Sequence, residues 1–240
     1  MKNKIFLINI LAIILLFASC SKEEEEIILP KQELSAFEMQ VINYFIEVAL
    51  GFEDGSVPEI TRKWWNPMKI FVGGNPSTEN MEKVEQTLAD INELATDGFS
   101  VEMVSDSSSS NCYLFFGSNA EFRRTSPNIN VGSTNFGYFY VWWQGNNINR
   151  ARIFVDTQRA NLQQQQSLIL EEITQALGLG KDSPRYPGSI FYETANDGGF
   201  ATEYSDLDRE VVRLLYHPNM RVGLNAPQVN ALLTNILKDE

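Results

Sequence analysis

Apolar residues recur at intervals of three and four along several segments of the chain, a spacing that predicts amphipathic helices. Ser35 and Ser77 stand at the start of two of these segments, where a hydroxyl can cap the free backbone N–H groups of a helix. The longest pattern runs from about Gln158 to Leu177. The predicted helices cover residues 35–50, 77–95, 158–177, 206–216 and 226–238.

Runs of β-branched and aromatic residues lie between these helices and predict short strands. The strands cover residues 68–72, 99–105, 112–117, 136–144 and 150–156, and the last two form a hairpin or neighbouring strands. This order of elements predicts an α+β fold in which a mixed sheet packs on the long helix. The roughly 205 residues of 35–240 are enough for one domain with a single core.

The first residues have the pattern of a secretory signal peptide, residues 1–19. Lys2 and Lys4 precede the apolar run "IFLINILAIILLF", which is followed by the small residues of "ASC". The run is shorter than the ~20 residues that a membrane-spanning helix needs. The stretch "LFASC" resembles the lipobox of bacterial lipoproteins, and the resemblance implies that Cys20 is acylated and anchors the mature chain to a membrane.

The stretch "SKEEEE" follows Cys20 and predicts a solvated, acidic tether over residues 20–34. It resembles the acidic export signal that, in one phylum of diderm bacteria, sends lipoproteins to the outer face of the outer membrane. We therefore expect the cell surface as the location, with a periplasm-facing anchor as the alternative.

Charge and cysteine content restrict the partners. The formal net charge of the chain is −12, which disfavours nucleic acid because its phosphates need Lys and Arg. With Cys20 acylated, Cys112 is the only other cysteine and no intramolecular disulfide can form. We expect a monomer on a lipid anchor.

The stretch "EEITQALGLGKD" on the predicted long helix carries the candidate chemistry. Glu171 and Gln175 are four residues apart and share one helix face, with Glu172 beside them. The helix is expected to end at "GLG", where Gly178 or Gly180 can adopt the left-handed conformation that turns the chain sharply.

This stretch resembles the zinc-binding helix of the metzincin peptidases, His-Glu-x-x-His-x-x-Gly-x-x-His followed by Asp. The resemblance places Glu172 at the general base, Gly178 at the turn and Asp182 after the last ligand. The three histidine positions are occupied by Glu171, Gln175 and Lys181.

Other segments extend the resemblance. "GSIFY" is similar to the Met-turn of metzincins, with Phe191 in place of Met, and "DREVVRLLYHP" is similar to the closing helix of the matrix-type members at Asp208 and Tyr216. Residues 37–225, including "KWW" at 63–65, also resemble a family of uncharacterised secreted bacterial proteins classed with the zincin-like peptidases. The resemblance implies a zincin-like fold, and it implies activity poorly because sites rather than folds carry function.

The side chains argue against zinc. A catalytic zinc takes three protein ligands from His, Cys and carboxylate, and the only histidine, His217, follows the closing-helix motif. Gln175 is a weak neutral ligand, and Lys181 would repel a cation. A calcium site that uses Glu171, Asp182 and backbone carbonyls stays open, since calcium prefers oxygen ligands.

Two functional hypotheses follow. The first is a non-catalytic module in which a cleft between the long helix and the strand "GYFYVWWQ" binds an extended peptide or a glycan. The binding residues of this cleft would be Glu171, Lys181, Asp182, Tyr192 and Trp143. A tryptophan is included because side chains alternate along a strand, so only one of the neighbouring Trp142 and Trp143 can face the core.

The second hypothesis is a metal-independent hydrolase. Glu172 would act as general base on water, and the carboxamide of Gln175 would stabilise an oxyanion. The alternative to both is that these side chains are only the solvated face of a charged helix.

Overall fold

The computed structural model describes residues 33–53, 57–194, 197–198 and 200–240. Residues 34–240 form one compact unit. The expected signal peptide, Cys20 and nearly all of the tether lie outside the described residues. None of the helices in the described part of the chain is both long and apolar enough to cross a bilayer.

The described residues form six α-helices, and each begins directly after a Ser or Asn whose side chain accepts a hydrogen bond from a backbone N–H of the first turn. Such caps satisfy donors that have no partner inside the helix, and so they fix where the helix begins. The helices are α1 Ala36–Ala49, α2 Thr78–Leu94, α3 Asn119–Thr125, α4 Leu162–Gln175, α5 Asp206–Leu215 and α6 Ala226–Asp239.

The main sheet is mixed and mostly parallel, which confirms the prediction of a mixed sheet. Its order is β1-β6-β4-β2-β3, and β5 pairs antiparallel with β6 as the predicted hairpin. A separate pair, β7 and β8, follows the long helix. The strands are β1 Lys63–Trp64, β2 Met68–Gly74, β3 Val101–Met103, β4 Cys112–Gly117, β5 Gly137–Gln144, β6 Asn147–Asp156, β7 Glu193–Thr194 and β8 Asp197–Gly198.

The long helix α4 packs against the sheet as predicted, although it begins four residues later than the sequence indicated. Its apolar stripe is completely buried at Ile169, Ile173, Ala176 and Leu177. Burial of such side chains stabilises the fold by roughly 1.5–3 kcal/mol each for the larger ones. The face that remains carries the candidate site.

The opposite face of the sheet carries a smaller apolar cluster, partly covered by α3. The helix was not predicted, because residues 118–136 are rich in Ser, Asn and Pro. Its start is set by a capping box in which Ser118 and Glu121 satisfy each other's backbone N–H groups. The cluster consists of Phe115, Phe122, Ile129, Val131 and Phe154.

Two aromatic side chains and one glycine define the end of α4. The indole of Trp64 donates to the carbonyl of Ala176 at 2.8 Å, and the hydroxyl of Tyr216 donates to the carbonyl of Leu177 at 3.0 Å. Gly178 follows with φ of +121°, and a Cβ there would lie 2.0 Å from the carbonyl oxygen of Arg62. The predicted turn is therefore at Gly178, where both the conformation and the space require glycine.

Gly178→Ala is expected to lower the free energy of unfolding by roughly 3 kcal/mol or more, because the methyl group meets backbone that cannot move aside. The matched control is Gly98→Ala, where φ is +91° and no atom lies within 4 Å of the added Cβ. The control should lose roughly 1 kcal/mol through backbone strain alone. Urea unfolding measures both, and equal losses would show that the contact with Arg62 is unimportant.

Candidate functional site

The turn at Gly178 returns the chain to the polar face of α4. The carboxamide of Gln175, which is buried, donates to Asp182 Oδ1 at 2.8 Å and to Glu53 Oε1 at 3.3 Å. Glu171 lies one turn before Gln175 on the same face of the helix. The structure thus brings together predicted residues of the helix and of the loop after it.

Two further acids join this group from other segments. Glu53 is positioned by its backbone N–H, which donates to the carbonyl of Gly180 at 3.1 Å, and Glu193 by its N–H, which donates to the carbonyl of Ser183 at 3.3 Å. The carboxyl of Asp182 contacts the carboxyls of both. We call Glu53, Glu171, Glu172, Asp182 and Glu193 the acidic cluster. Glu53 and Glu193 are exposed, so the cluster is open to solvent on that side.

Glu172 lies at the buried end of the cluster, between α4 and the edge strand β5. Glu172 is only 6% exposed, and its Oε2 atom has no hydrogen-bond partner. A Cβ on Gly137 of β5 would lie 2.2 Å from Glu172 Oε1. The missing side chain of Gly137 therefore makes room for the Glu172 carboxyl directly beneath the strand.

The electrostatics of the cluster keep protons bound. Burial, and to a smaller extent the charges of Glu53 and Glu193, raise the pKa of Glu171 to about 8. Burial and contacts with neighbouring carboxyls raise the pKa of Asp182 to about 11. The pKa of Glu172 is raised well above its usual value by burial and then by Glu171. At neutral pH several of these carboxyls are protonated.

The predicted Lys181 does not neutralise the cluster. Its ammonium lies 2.6 Å from Glu59 Oε1 instead. In the part of the chain that the structure describes, no ion pair involves any of the five carboxyls of the cluster. Lys181 thus forms a separate ion pair with Glu59.

Trp143 and Trp142 point to opposite faces of β5, as predicted from strand alternation. Trp143 faces the helix side, where its ring stacks on Phe52 at 5.4 Å and on the Arg62 guanidinium at 4.7 Å. Trp142 faces the other side. Because Phe52 directly precedes Glu53, Trp143 supports the segment that carries one acid of the cluster.

Tyr192 is half-buried, and its backbone N–H donates to the carbonyl of Ser189 at 3.3 Å within the "GSIFY" turn. Asp208 holds this turn: it accepts from Ser189 Oγ at 2.6 Å and from the N–H of Ile190 at 3.2 Å. Phe191 is fully buried in the core. These residues support the turn through packing and hydrogen bonds.

Whether a metal ion could bind here depends on His217, Gln175 and the carboxyls of the acidic cluster. His217 follows α5, and its Nδ1 accepts from the N–H of Asn219 at 3.1 Å. No three His, Cys, Asp or Glu side chains among the described residues are arranged to hold a metal ion. Gln175 directs its amide hydrogens at Asp182 and Glu53, so it acts as a hydrogen-bond donor to these carboxyls.

Sequence reasoning missed Glu53, Glu193 and Gly137. The two acids come from segments far from α4 in the sequence, and no spacing rule connects them with the helix. Gly137 carried one usable signal, since a glycine at the start of an aromatic-rich strand often marks the close approach of another group.

Comparison with known proteins identifies a protein family whose model matches most of this chain. The model of the family described as "Protein of unknown function (DUF2927)" matches residues 38–235. A solved structure described as "Structure of myroilysin" matches with 14% identity and a TM-score of 0.42, over 66% of this chain and 97% of that chain. A second, "Crystal structure of myroilysin", matches with 13% identity and a TM-score of 0.43, over 78% and 99%. Neither likeness is close enough to support an inference about the site. Curated proteins gave no match.

The raised pKa of Glu171 predicts a pH dependence of stability. The folded protein keeps this proton up to about pH 8, whereas the unfolded chain loses it near the usual value of 4.5. Stability should therefore fall as pH rises from about 4.5 to 8, because ionisation favours the unfolded state. Glu171→Gln cannot ionise and should gain roughly 1–3 kcal/mol over the wild type between pH 5 and pH 8.

Chemical unfolding at a series of pH values measures this difference. Glu85→Gln, on the exposed face of α2, is the control and should follow the wild-type pH dependence. Identical pH slopes for the wild type and Glu171→Gln would mean that Glu171 is ionised in the folded protein.

Proposed function

The chain belongs to the DUF2927 family of proteins of unknown function, and we propose that this member is a lipid-anchored binding protein of the bacterial cell envelope. Its acidic cluster binds a positively charged group of an extended peptide and does not hydrolyse the peptide. The observation that carries this proposal is the group of partly buried carboxyls that no cation of the described chain neutralises.

Charge decides which ligand fits. Carboxyls held together away from water must either keep protons or meet a positive charge. A lysine or arginine side chain, or the amino terminus of a peptide, supplies that charge and can donate to the exposed carboxyls of Glu53 and Glu193. A neutral glycan supplies no charge. The cluster therefore favours a peptide over a glycan.

The edge strand provides a place for the peptide backbone. Among the strands of the described residues, β5 pairs with β6 alone, so its other edge has no strand partner. An extended peptide can add to such an edge through backbone hydrogen bonds. A peptide added to β5 would pass Gly137, beneath which the Glu172 carboxyl lies.

A degenerate zincin-like domain accounts for the position of the cluster. Glu171, Glu172 and Gln175 occupy one helix, Gly178 turns the chain, and Asp182 returns to Gln175 at 2.8 Å. That is the sequence order of a metzincin site with its histidines replaced. In this proposal the carboxyls took over a groove shaped for substrate and now recognise charge.

The alternative is the metal-independent hydrolase with Glu172 as general base and Gln175 as oxyanion donor. Two observations disfavour it near neutral pH. The raised pKa of Glu172 keeps the base protonated, and both hydrogen bonds donated by Gln175 end on carboxyls of the protein. A calcium ion would also neutralise Glu171 and Asp182, and it would compete with a cationic peptide.

Peptide binding should depend on charge. We expect purified full-length protein to bind an extended Val and Thr peptide with one central lysine, and to bind the acetyl-lysine form at least about tenfold more weakly. Glu53→Gln, which removes an exposed carboxyl of the cluster, should cause a similar loss, with Glu85→Gln unchanged. Because the ligand displaces protons, calorimetry should show affinity rising between pH 5 and pH 8.

Equal affinity for the lysine and acetyl-lysine peptides would contradict recognition of charge by the acidic cluster. Cleavage of the lysine peptide by the wild type, lost in Glu172→Gln, would instead establish the hydrolase. Calcium at millimolar concentration should weaken peptide binding only if it shares the site.

The anchor rests on the sequence at Cys20, outside the described residues. We expect cells that express the protein to incorporate labelled palmitate into it, and Cys20→Ser to abolish the label and release the protein from membranes. Protease treatment of intact cells then distinguishes the surface from the periplasm. Wild-type protein that takes up no label and is not found with membranes would contradict the prediction of a lipid anchor at Cys20.

A further inference from the structure

A depression of about 440 Å³ lies on the face of the main sheet opposite α4. It shares no residue with the acidic cluster. Its volume falls within the ~300–1,000 Å³ range of small-molecule sites. The side chains that matter for its chemistry are Phe71, Ser110, Asn111, Tyr113, Arg150 and Arg152.

Two arginines stand side by side in this depression without a carboxylate. Arg152 lies over the ring of Tyr113 at 4.9 Å, and Arg150 lies over the ring of Trp142 at 4.0 Å. Within the described residues neither guanidinium has an ion pair, and their N–H donors have no protein acceptor. Burial lowers the pKa of Arg152; Cys112 and Tyr113 act in the opposite direction, and the neighbouring Arg150 lowers it further.

Such a pair calls for a counter-charge. Two guanidinium groups repel each other, and each carries five donors suited to an oxyanion. The chain as a whole has a net charge of −12, so the pair does not belong to a generally basic surface. An anionic ligand group in the depression would satisfy both side chains.

The aromatic wall adds a flat apolar surface. The rings of Phe71 and Tyr113 are nearly parallel, with centroids 5.9 Å apart and planes at 13°. Tyr113 can lie in this position because Gly73 has no side chain: a Cβ there would be 2.3 Å from the Tyr113 hydroxyl. Flat aromatic surface of this kind suits the C–H face of a sugar ring.

The polar rim provides acceptors at fixed positions. Ser110 donates its hydroxyl hydrogen to the carbonyl of Ser107 at 2.8 Å, which leaves the oxygen free to accept. The side-chain oxygen of Asn111 accepts from the backbone N–H of Lys69 at 2.7 Å, and its amide nitrogen donates to the carbonyl of Pro67 at 2.8 Å. Such acceptors complement the hydroxyl donors of a saccharide.

We propose that this depression binds an acidic saccharide, in which Arg150 and Arg152 hold a sulfate, phosphate or carboxylate group and the Phe71 ring, which stacks on Tyr113, packs on the sugar ring. This site is independent of the peptide site on the helix side of the sheet. A sulfated sugar is the sharpest probe, because its charge can be removed without changing the ring.

Calorimetry on the full-length protein tests the site with sulfated N-acetyllactosamine, a disaccharide that is neutral once the sulfate is removed, with its desulfated form and with inorganic sulfate. We expect the sulfated disaccharide to bind, the desulfated form to bind at least about tenfold more weakly, and sulfate alone to bind more weakly than the disaccharide. Arg150→Gln and Arg152→Gln should each lower affinity about tenfold. The control Arg209→Gln removes the same charge from α5 and should change nothing.

Arg152→Lys keeps the positive charge and should retain part of the binding. Both Arg152→Lys and Arg152→Gln should unfold at the wild-type temperature, which would exclude misfolding as the cause of weaker binding. Equal binding of the sulfated and desulfated disaccharides would overturn the proposal. So would sulfate that binds as tightly as the disaccharide, or loss of binding in Arg209→Gln equal to that in Arg150→Gln.

Discussion

The end of α4 is the constraint on which the rest of the site depends. Trp64 and Tyr216 donate hydrogen bonds to the last carbonyls of the helix, and Gly178 then passes so close to the Arg62 carbonyl that no side chain fits. These contacts come from the start of the sheet and the end of α5. They fix the direction in which the chain leaves α4, and so they determine that Asp182 returns to Gln175.

The return of the chain creates an electrostatic conflict. Carboxyls from four segments meet where water is partly excluded, and Lys181, which precedes Asp182 in the chain, is paired with Glu59. Proteins rarely keep such an arrangement for stability alone, since each ionised carboxyl opposes the others. A site that breaks a rule of stable packing is where function is expected. A cationic ligand would remove the conflict, which is why the proposed peptide site follows from the charges.

The helices and strands could be predicted because their signals are local. Ser caps, apolar spacing and the left-handed glycine at Gly178 each involve a few neighbouring residues, and the structure confirms them. The mixed sheet also followed from the order of elements. The short helix α3 was missed because its residues are those of loops, and its capping box gave only a weak signal.

The site was only half predictable. The spacing of Glu171, Glu172 and Gln175 predicts their arrangement on one helix, and the metzincin resemblance pointed to the turn and Asp182. Glu53 and Glu193 join through backbone hydrogen bonds to Gly180 and Ser183, contacts between segments that no sequence spacing encodes. The ion pair of Lys181 with Glu59 was not predicted for the same reason, because the two residues are distant in sequence.

The protonation state of the cluster tests the central claim most directly. Carbon-13 NMR of the protein with labelled Asp and Glu carboxyls, titrated from pH 4 to pH 10, reads each proton at its own carboxyl. We predict a midpoint for Glu171 of about 8 and protonated Glu172 and Asp182 at pH 7. Midpoints below about 5 for all three would contradict the claim, because they would mean that the protein already neutralises these carboxylates.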